Sequence, residues 1–133
     1  MKSFSLLCLA ALVLLAAESR RGAAQGGTSV EGQDTFREYC SACHGISGKG
    51  DGPVAVILKK RPADLTTIKK RKRTFSAADI EATIKGTGAL QSAHGAPDMP
   101  VWGPYFTAVD SSAALAQVRV TNLVKYIESI QIK

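Results

Sequence analysis

The sequence contains few of the side chains that most often bind metals or carry out chemistry. Its 133 residues include three cysteines, two histidines and two methionines, and only 6% are aromatic. A structural zinc site needs two pairs of cysteine or histidine ligands at suitable spacing. The sequence offers one such pair, Cys40 and Cys43, and no second one, so a zinc site is disfavoured. So few aromatic residues leave a core short of large side chains, which favours either an alanine-rich helical protein or one with a bulky apolar cofactor.

The chain also lacks an apolar run of the length that a membrane helix needs. The apolar stretch at residues 4–17 covers 14 positions, whereas a membrane-spanning helix takes about 20. Lys2 precedes this stretch, and the small residues 22–24 follow it after a short polar segment. This order is typical of a secretory signal peptide. We predict that residues 1–24 are a signal peptide cleaved near Ala24, the alternative being an uncleaved membrane anchor.

Removal of residues 1–24 leaves one domain, residues 25–133, and changes its cysteine content. Cys8 is lost with the signal, so that Cys40 and Cys43 remain, and the net charge falls from +6 to +4. Exported cysteines usually form disulfides. Two cysteines separated by two residues could close only a very small loop, so another use for them is expected.

The residue after the second cysteine indicates that use. Residues 40–44 read Cys-Ser-Ala-Cys-His, the attachment signature of c-type heme. Each thiol adds to one vinyl group of the porphyrin, and two intervening residues match the spacing of the vinyls. The adjacent histidine ligates the iron. We therefore expect one heme c per chain, attached through Cys40 and Cys43 and ligated by His44.

Other uses of this pair fit the surrounding sequence less well. A thioredoxin-like redox pair follows a strand and precedes a helix. Here a helix-like segment precedes the pair, and a loop rich in glycine follows it. The flanking sequence therefore favours heme attachment.

A second axial ligand can come from only two residues. Met1 is lost with the signal, which leaves Met99 and His94. Pro97 and Pro100 flank the methionine, and they stiffen the loop that would hold its thioether against the iron. We predict Met99 as the ligand. The alternatives are a methionine that fills a gap in the core, and ligation by His94.

The remaining pattern predicts helices and no sheet. Thr28 and Glu31 have capping-box spacing and open a first helix that runs into the heme motif. A glycine-rich loop follows, and Val54–Lys60 is apolar enough for a short helix. Ser76 and Asp79 open another helix, which Gly86 and Gly88 end.

The last third of the chain is predicted as a loop and then a helix. Residues 89–110 contain three prolines and are predicted as loop. One face of the last helix is apolar at steps of four and three, with members Ala116, Val120, Leu123, Ile127 and Ile130. No stretch shows the sustained alternation of a strand. The fold class is therefore all-α.

Taken together, residues 30–131 resemble a class I bacterial cytochrome c. The resemblance rests on the attachment motif, on the Met-Pro-Val-Trp-Gly loop that begins at Met99, and on a pairing of two helices. It implies the cytochrome c-like fold, three to five short helices wrapped around one covalently attached heme. It also implies that Gly32 and Phe36 of the first helix meet Leu123 and Tyr126 of the last one.

The same resemblance implies roles for four further residues at the heme. A proline carbonyl accepts a hydrogen bond from the ligating histidine in this family, and Pro53 is the matching residue here. Arg61 resembles a residue that faces a heme propionate. Trp102 and Tyr105 are expected to face a propionate or to cover the heme edge.

Five consecutive basic residues, Lys69, Lys70, Arg71, Lys72 and Arg73, form the most concentrated charge in the chain. Export and the absence of interleaved aromatic residues argue against nucleic acid as the partner. One interpretation is a solvated loop. The other is a docking site for an acidic redox protein, including one in a membrane respiratory complex.

These expectations define an electron carrier and not an enzyme. A heme with two protein ligands leaves no open position for a substrate. We expect one-electron transfer between exported or membrane-bound partners, with the bacterial periplasm as the location. The alternatives are a cytochrome subunit of a larger dehydrogenase or oxidase, and a ligand-binding or peroxidase-like heme protein with a labile sixth ligand.

Overall fold

The computed structural model describes residues 27–88, 99–110 and 112–132, with side chains from residue 31 onward. Within these ranges the chain forms six α-helices and two 3₁₀ turns, without a strand. The α-helices are α1 (Gly27–Tyr39), α2 (Ser41–His44), α3 (Ile68–Lys72), α4 (Ala77–Lys85), α5 (Trp102–Val109) and α6 (Ala113–Ser129), and the 3₁₀ turns are Ala55–Ile57 and Leu65–Thr67. The all-α class is confirmed. Six helices exceed the expected three to five, and two of them are single turns of four and five residues.

The bounds of α4 agree with the pattern of the sequence. The Ser76 hydroxyl accepts a hydrogen bond from the N–H of Asp79 at 3.3 Å, which caps the helix as predicted. Gly86 ends it with φ at 76°. The first helix begins at Gly27, one residue before the predicted capping residue Thr28.

Two segments differ from their predicted structure. Val54–Lys60 forms only the 3₁₀ turn Ala55–Ile57. Residues 102–109, predicted as loop, form helix α5. Pro104 is compatible with this helix because it lies in the first turn, where the backbone N–H has no intrahelical partner. The completely buried Phe106 then holds α5 against the core.

Helices α1 and α6 cross, as the resemblance implies. A Cβ on Gly32 would collide with the backbone carbonyl of Asn122, so only glycine allows this approach. Next to it the rings of Phe36 and Tyr126 lie 5.3 Å apart, and Phe36 is completely buried. The predicted pairing of Gly32 and Phe36 with the last helix is confirmed.

The few aromatic residues are concentrated around α5. Tyr39 of α1 lies 5.2–5.7 Å from the rings of Trp102, Tyr105 and Phe106. The guanidinium of Arg119 lies 5.6 Å from the centre of the Phe106 ring. These contacts join α1, α5 and α6 next to the end of the first helix, where the heme motif begins. Across the described ranges, no helix has both the length and the apolar character needed to cross a membrane.

Candidate heme site

The attachment motif lies at the end of α1 and in the single turn α2. The N–H of Cys40 still donates to the carbonyl of Phe36 at 2.9 Å, so the first cysteine continues the helix. All four carbonyls of α2 accept hydrogen bonds from the following loop, whose donors are the N–H groups of Gly45, Gly50, Gly52 and Val54. Gly45 has φ at 77°, which lets the chain reverse after His44. The loop therefore fixes the backbone position of the motif.

Both thiols of the motif are free and half-buried. Burial raises the pKa of the Cys40 thiol to about 12, and the neighbouring Cys43 adds to this effect. A redox-active pair instead needs a thiol whose pKa is lowered. The structure thus gives no support to the thioredoxin-like use of the two cysteines.

The imidazole of His44 is oriented by a backbone carbonyl. Its Nδ1 lies 3.0 Å from the carbonyl oxygen of Ala63. Because a carbonyl only accepts hydrogen bonds, Nδ1 is the donor, and in the tautomer with its proton on Nδ1 the Nε2 keeps a lone pair. A bond of this kind orients a metal-ligating histidine and raises its basicity. This arrangement would leave Nε2 available to a metal.

The residue that accepts this bond is Ala63 and not the expected Pro53. Gly52 and Val54 donate to the carbonyls of Cys43 and Ala42, which holds the exposed Pro53 beside the backbone of α2. The segment around Ala63 reaches the histidine instead, since the N–H of Leu65 donates to Gly48 at 2.7 Å.

Three of the four predicted attachment and ligand residues line one cavity. Cys40, His44 and the half-buried Met99 contribute to its wall, and Cys43 stands one helical turn after Cys40 in the motif. The rest of the wall is largely apolar, with members Ala63, Leu65, Ile68, Ile80, Ile84, Trp102, Leu123 and Ile127. The fold thus brings together a thiol, an imidazole and a thioether, the first and last of which are 59 residues apart in the sequence. The rival ligand His94 lies outside the described residues.

The other predicted heme contacts have different positions. Trp102 lines the cavity. Tyr105 packs on Trp102 with the ring centres 5.5 Å apart, is 46% exposed and lies outside the cavity wall. Arg61 is exposed, its Nε donates to the carbonyl of Gly50 at 3.3 Å, and it is absent from the wall.

The cations that do line the cavity come from the basic run. Arg71 and Lys72, at the end of the short helix α3, contribute to its wall and are exposed to solvent. The sequence did not predict this role, because the run alone does not show which way α3 faces. The isoleucines of α4 and the apolar residues of α6 were predicted as helix faces, but the sequence does not show that these faces enclose a cavity.

Comparison with protein families agrees with this geometry. A profile of the family described as Cytochrome c matches residues 29–131. The chain therefore belongs to the cytochrome c family, whose members bind heme c covalently and carry electrons. The curated proteins and the solved structures gave no match.

The residues of the cavity fit a heme c. Its largely apolar wall suits a porphyrin face, and the neutral imidazole of His44 and the thioether of Met99 are ligands that heme iron accepts. The cationic groups of Arg71 and Lys72 suit the two carboxylates that a heme carries at one edge. The donor set and the wall thus agree with the cofactor that the family implies.

Proposed function

We propose that this chain is a monoheme electron carrier whose heme c is attached through Cys40 and Cys43 and ligated by His44 and Met99. The observation that carries the proposal is the presence of Cys40, His44 and Met99 in the wall of one largely apolar cavity. When bound, the heme supplies a one-electron redox couple. His44 and Met99 would hold the iron between them, which would suit electron transfer and leave no place for a substrate.

Each ligand has its own support. The hydrogen bond from Nδ1 of His44 to Ala63 sets the tautomer in which Nε2 ligates. Met99 lies three residues before the first residue of α5, whose Phe106 is completely buried. A thioether held near such an anchored helix loses little conformational freedom on ligation, and a methionine ligand raises the reduction potential relative to a second histidine.

The ferric visible spectrum tests this ligation. We expect the weak far-red band of a methionine-to-iron bond in the wild type and its loss in Met99→Ala, together with new binding of exogenous ligands. Ile80→Ala is the matched control, because Ile80 lines the same cavity and has no ligand atom. Ready binding of carbon monoxide by the wild-type ferrous protein would contradict the closed carrier and favour a ligand-binding or peroxidase-like protein.

We further propose that an acidic redox partner docks on the basic run. All five of its residues are exposed, and Arg71 and Lys72 reach the cavity wall. A cationic rim beside the heme site would steer an acidic partner and shorten the path of the electron. Such a docking surface would be useful both to a free electron carrier and to a subunit of a larger complex, so it does not distinguish between them.

The salt dependence of electron transfer tests this docking site. The rate should fall as ionic strength rises, and changing Lys69, Lys70 and Lys72 to Gln should flatten that dependence. Lys125→Gln is the control. Lys125 is exposed and lies two residues from both Leu123 and Ile127, so it is on the side of α6 opposite the cavity wall. A wild-type rate that is insensitive to salt contradicts the proposal.

Export through a cleaved signal at residues 1–24, with the bacterial periplasm as the destination, is also proposed. It agrees with the attachment motif, since heme is added to c-type cytochromes after translocation. Residues 1–24 lie outside the described residues. N-terminal sequencing of the protein from the native host should begin near Gln25, whereas an intact Met1 would favour the membrane-anchored form.

A further inference from the structure

The carbonyl that orients His44 belongs to a segment on the surface. Ala63 is exposed, so the packing of its own side chain does little to fix its backbone. The position of its carbonyl depends on what holds the following residues, 64–69. One such bond runs from the N–H of Leu65 to the carbonyl of Gly48 at 2.7 Å. Bonds within the segment add to it: a side-chain oxygen of Asp64 accepts from the N–H and the hydroxyl of Thr66, and the hydroxyl of Thr67 donates to the Asp64 carbonyl. Further bonds come from residues 131 and 132.

The side chain of Gln131 bonds to the 3₁₀ turn Leu65–Thr67 and to the helix α3 that follows it. Its Nε2 donates to the carbonyl of Leu65 and to that of Ile127, each at 2.7 Å. Its Oε1 accepts from the N–H of Lys69 at 3.0 Å. A single half-buried amide therefore links the end of α6 to Leu65 at the start of this turn and to Lys69 in α3.

The next residue adds a backbone bond to the same segment. The N–H of Ile132 donates to the carbonyl of Thr66 at 2.9 Å. Gln131 and Ile132, which we name the C-terminal strap, thus make three hydrogen bonds to residues 65–69. These residues directly follow the segment that orients His44.

We infer that Gln131 is a positioning residue that keeps the Ala63 carbonyl on Nδ1 of His44 and thereby tunes the reduction potential. The inference rests on the proposed ligation by His44. A ligating imidazole that donates firmly to a carbonyl is a stronger electron donor, and a stronger donor favours ferric over ferrous iron. Loosening the strap weakens that bond, so the potential rises.

The test compares Gln131→Met with Gln117→Met in the holoprotein. Both glutamines are half-buried amides near the same helix. The amide of Gln117 bonds to Glu81, Lys85 and Thr121 and not to residues 63–69. We expect a raised midpoint potential in Gln131→Met, and exchange of the His44 Nδ1 proton, followed by NMR in the ferrous protein, that is about tenfold faster. Gln117→Met should leave both quantities at their wild-type values.

Two results would overturn the inference. The first is an equal shift of potential in both variants, which would indicate a general loss of packing. The second is an unchanged potential in Gln131→Met together with faster exchange of the Lys69 amide. The strap would then be loosened without any effect on His44.

Wild-type hydrogen exchange provides a second measurement if Gln131→Met fails to fold. The Lys69 and Ile132 amides and the His44 Nδ1 proton should exchange through one common opening and so at matched free energies. Independent exchange would contradict the inference. A wild type without covalent heme would contradict the proposed function, whereas a heme-bearing wild type with an unresponsive Gln131→Met contradicts only the role of the strap.

Discussion

Helix α6 packs differently on its two sides. Towards α1 it meets Gly32 at the distance of backbone contact, and Tyr126 packs on the ring of Phe36. Towards the heme site, Leu123 and Ile127 contribute to the wall of a cavity. At the crossing, the side chains of α6 pack against other protein residues. In the cavity wall, they face the attachment motif and the space that suits the cofactor of this family.

The same division separates stability from redox chemistry. The crossing involves completely buried side chains and depends on a close fit between two helices. The cavity wall combines buried side chains such as Leu123 with Ile80 and Met99, which are only partly buried. Substitutions at the crossing should therefore change the free energy of unfolding most, and substitutions of wall residues that are not ligands should change the potential.

The largest effect is expected for Phe36→Ala. Phe36 is completely buried and packs against Tyr126 with the two rings tilted by 48°, so its removal leaves a cavity at the crossing. We expect a loss of about 3–5 kcal/mol in the free energy of unfolding, measured by urea denaturation of the holoprotein. The ferric spectrum of the folded fraction should stay that of the wild type.

Ile80→Ala in the cavity wall is the matched comparison. Ile80 is only partly buried, so the cost in stability should be smaller, at about 2 kcal/mol. The midpoint potential should move in this variant, because water gains access to the site. The division between the two faces of α6 would be wrong if Phe36→Ala moved the potential more than Ile80→Ala does.

A smaller effect is expected at the ion pair that holds α5 to α6. Arg119 donates to the two oxygens of Asp110 at 2.5 and 2.8 Å, and these bonds hold the pKa of Asp110 below its ordinary value of 3.8. The bonded carboxylate therefore stabilises the fold above about pH 4, and this contribution disappears as the pH falls through the lowered pKa. Asp110→Asn should lose about 1–2 kcal/mol at pH 7.

The pH dependence checks the cause of that loss. The difference between wild type and Asp110→Asn, measured by urea denaturation from pH 7 down to pH 2, should shrink below about pH 4. Asp34→Asn, at an exposed position on α1, is the control. A difference that stays constant down to pH 2 would mean that the charge of Asp110 has no part in it.

Much of the scaffold could be predicted from local sequence. The helix α4 has a capping serine at its start and a glycine in the left-handed region at its end, both signals that act within a few residues. The crossing was predicted from Gly32 and Phe36 through the resemblance to class I cytochromes. The helix α5 was missed because its proline and glycine were interpreted as loop signals, whereas burial of Phe106 outweighs them.

The site was predictable only where its chemistry has a sequence signature. Cys40, Cys43 and His44 form a local motif, and Met99 could be proposed as a ligand because the chain has so few methionines. The acceptor of the His44 hydrogen bond could not be found in this way. Ala63 contributes a backbone carbonyl, which every residue has, and only the path of the chain decides which carbonyl reaches Nδ1. Whether Arg71 and Lys72 line the cavity depends in the same way on the direction of α3, which the sequence does not show.

The covalent link is the central claim, and mass spectrometry of the denatured wild-type protein from an expression host that attaches heme c tests it most directly. We predict a mass equal to residues 25–133 plus one heme, and its loss in the double variant Cys40→Ala, Cys43→Ala. The control variant Ala42→Ser, which changes only a residue between the thiols, should keep the heme. A wild-type chain that releases its heme on denaturation, or that never acquires one, would contradict the account.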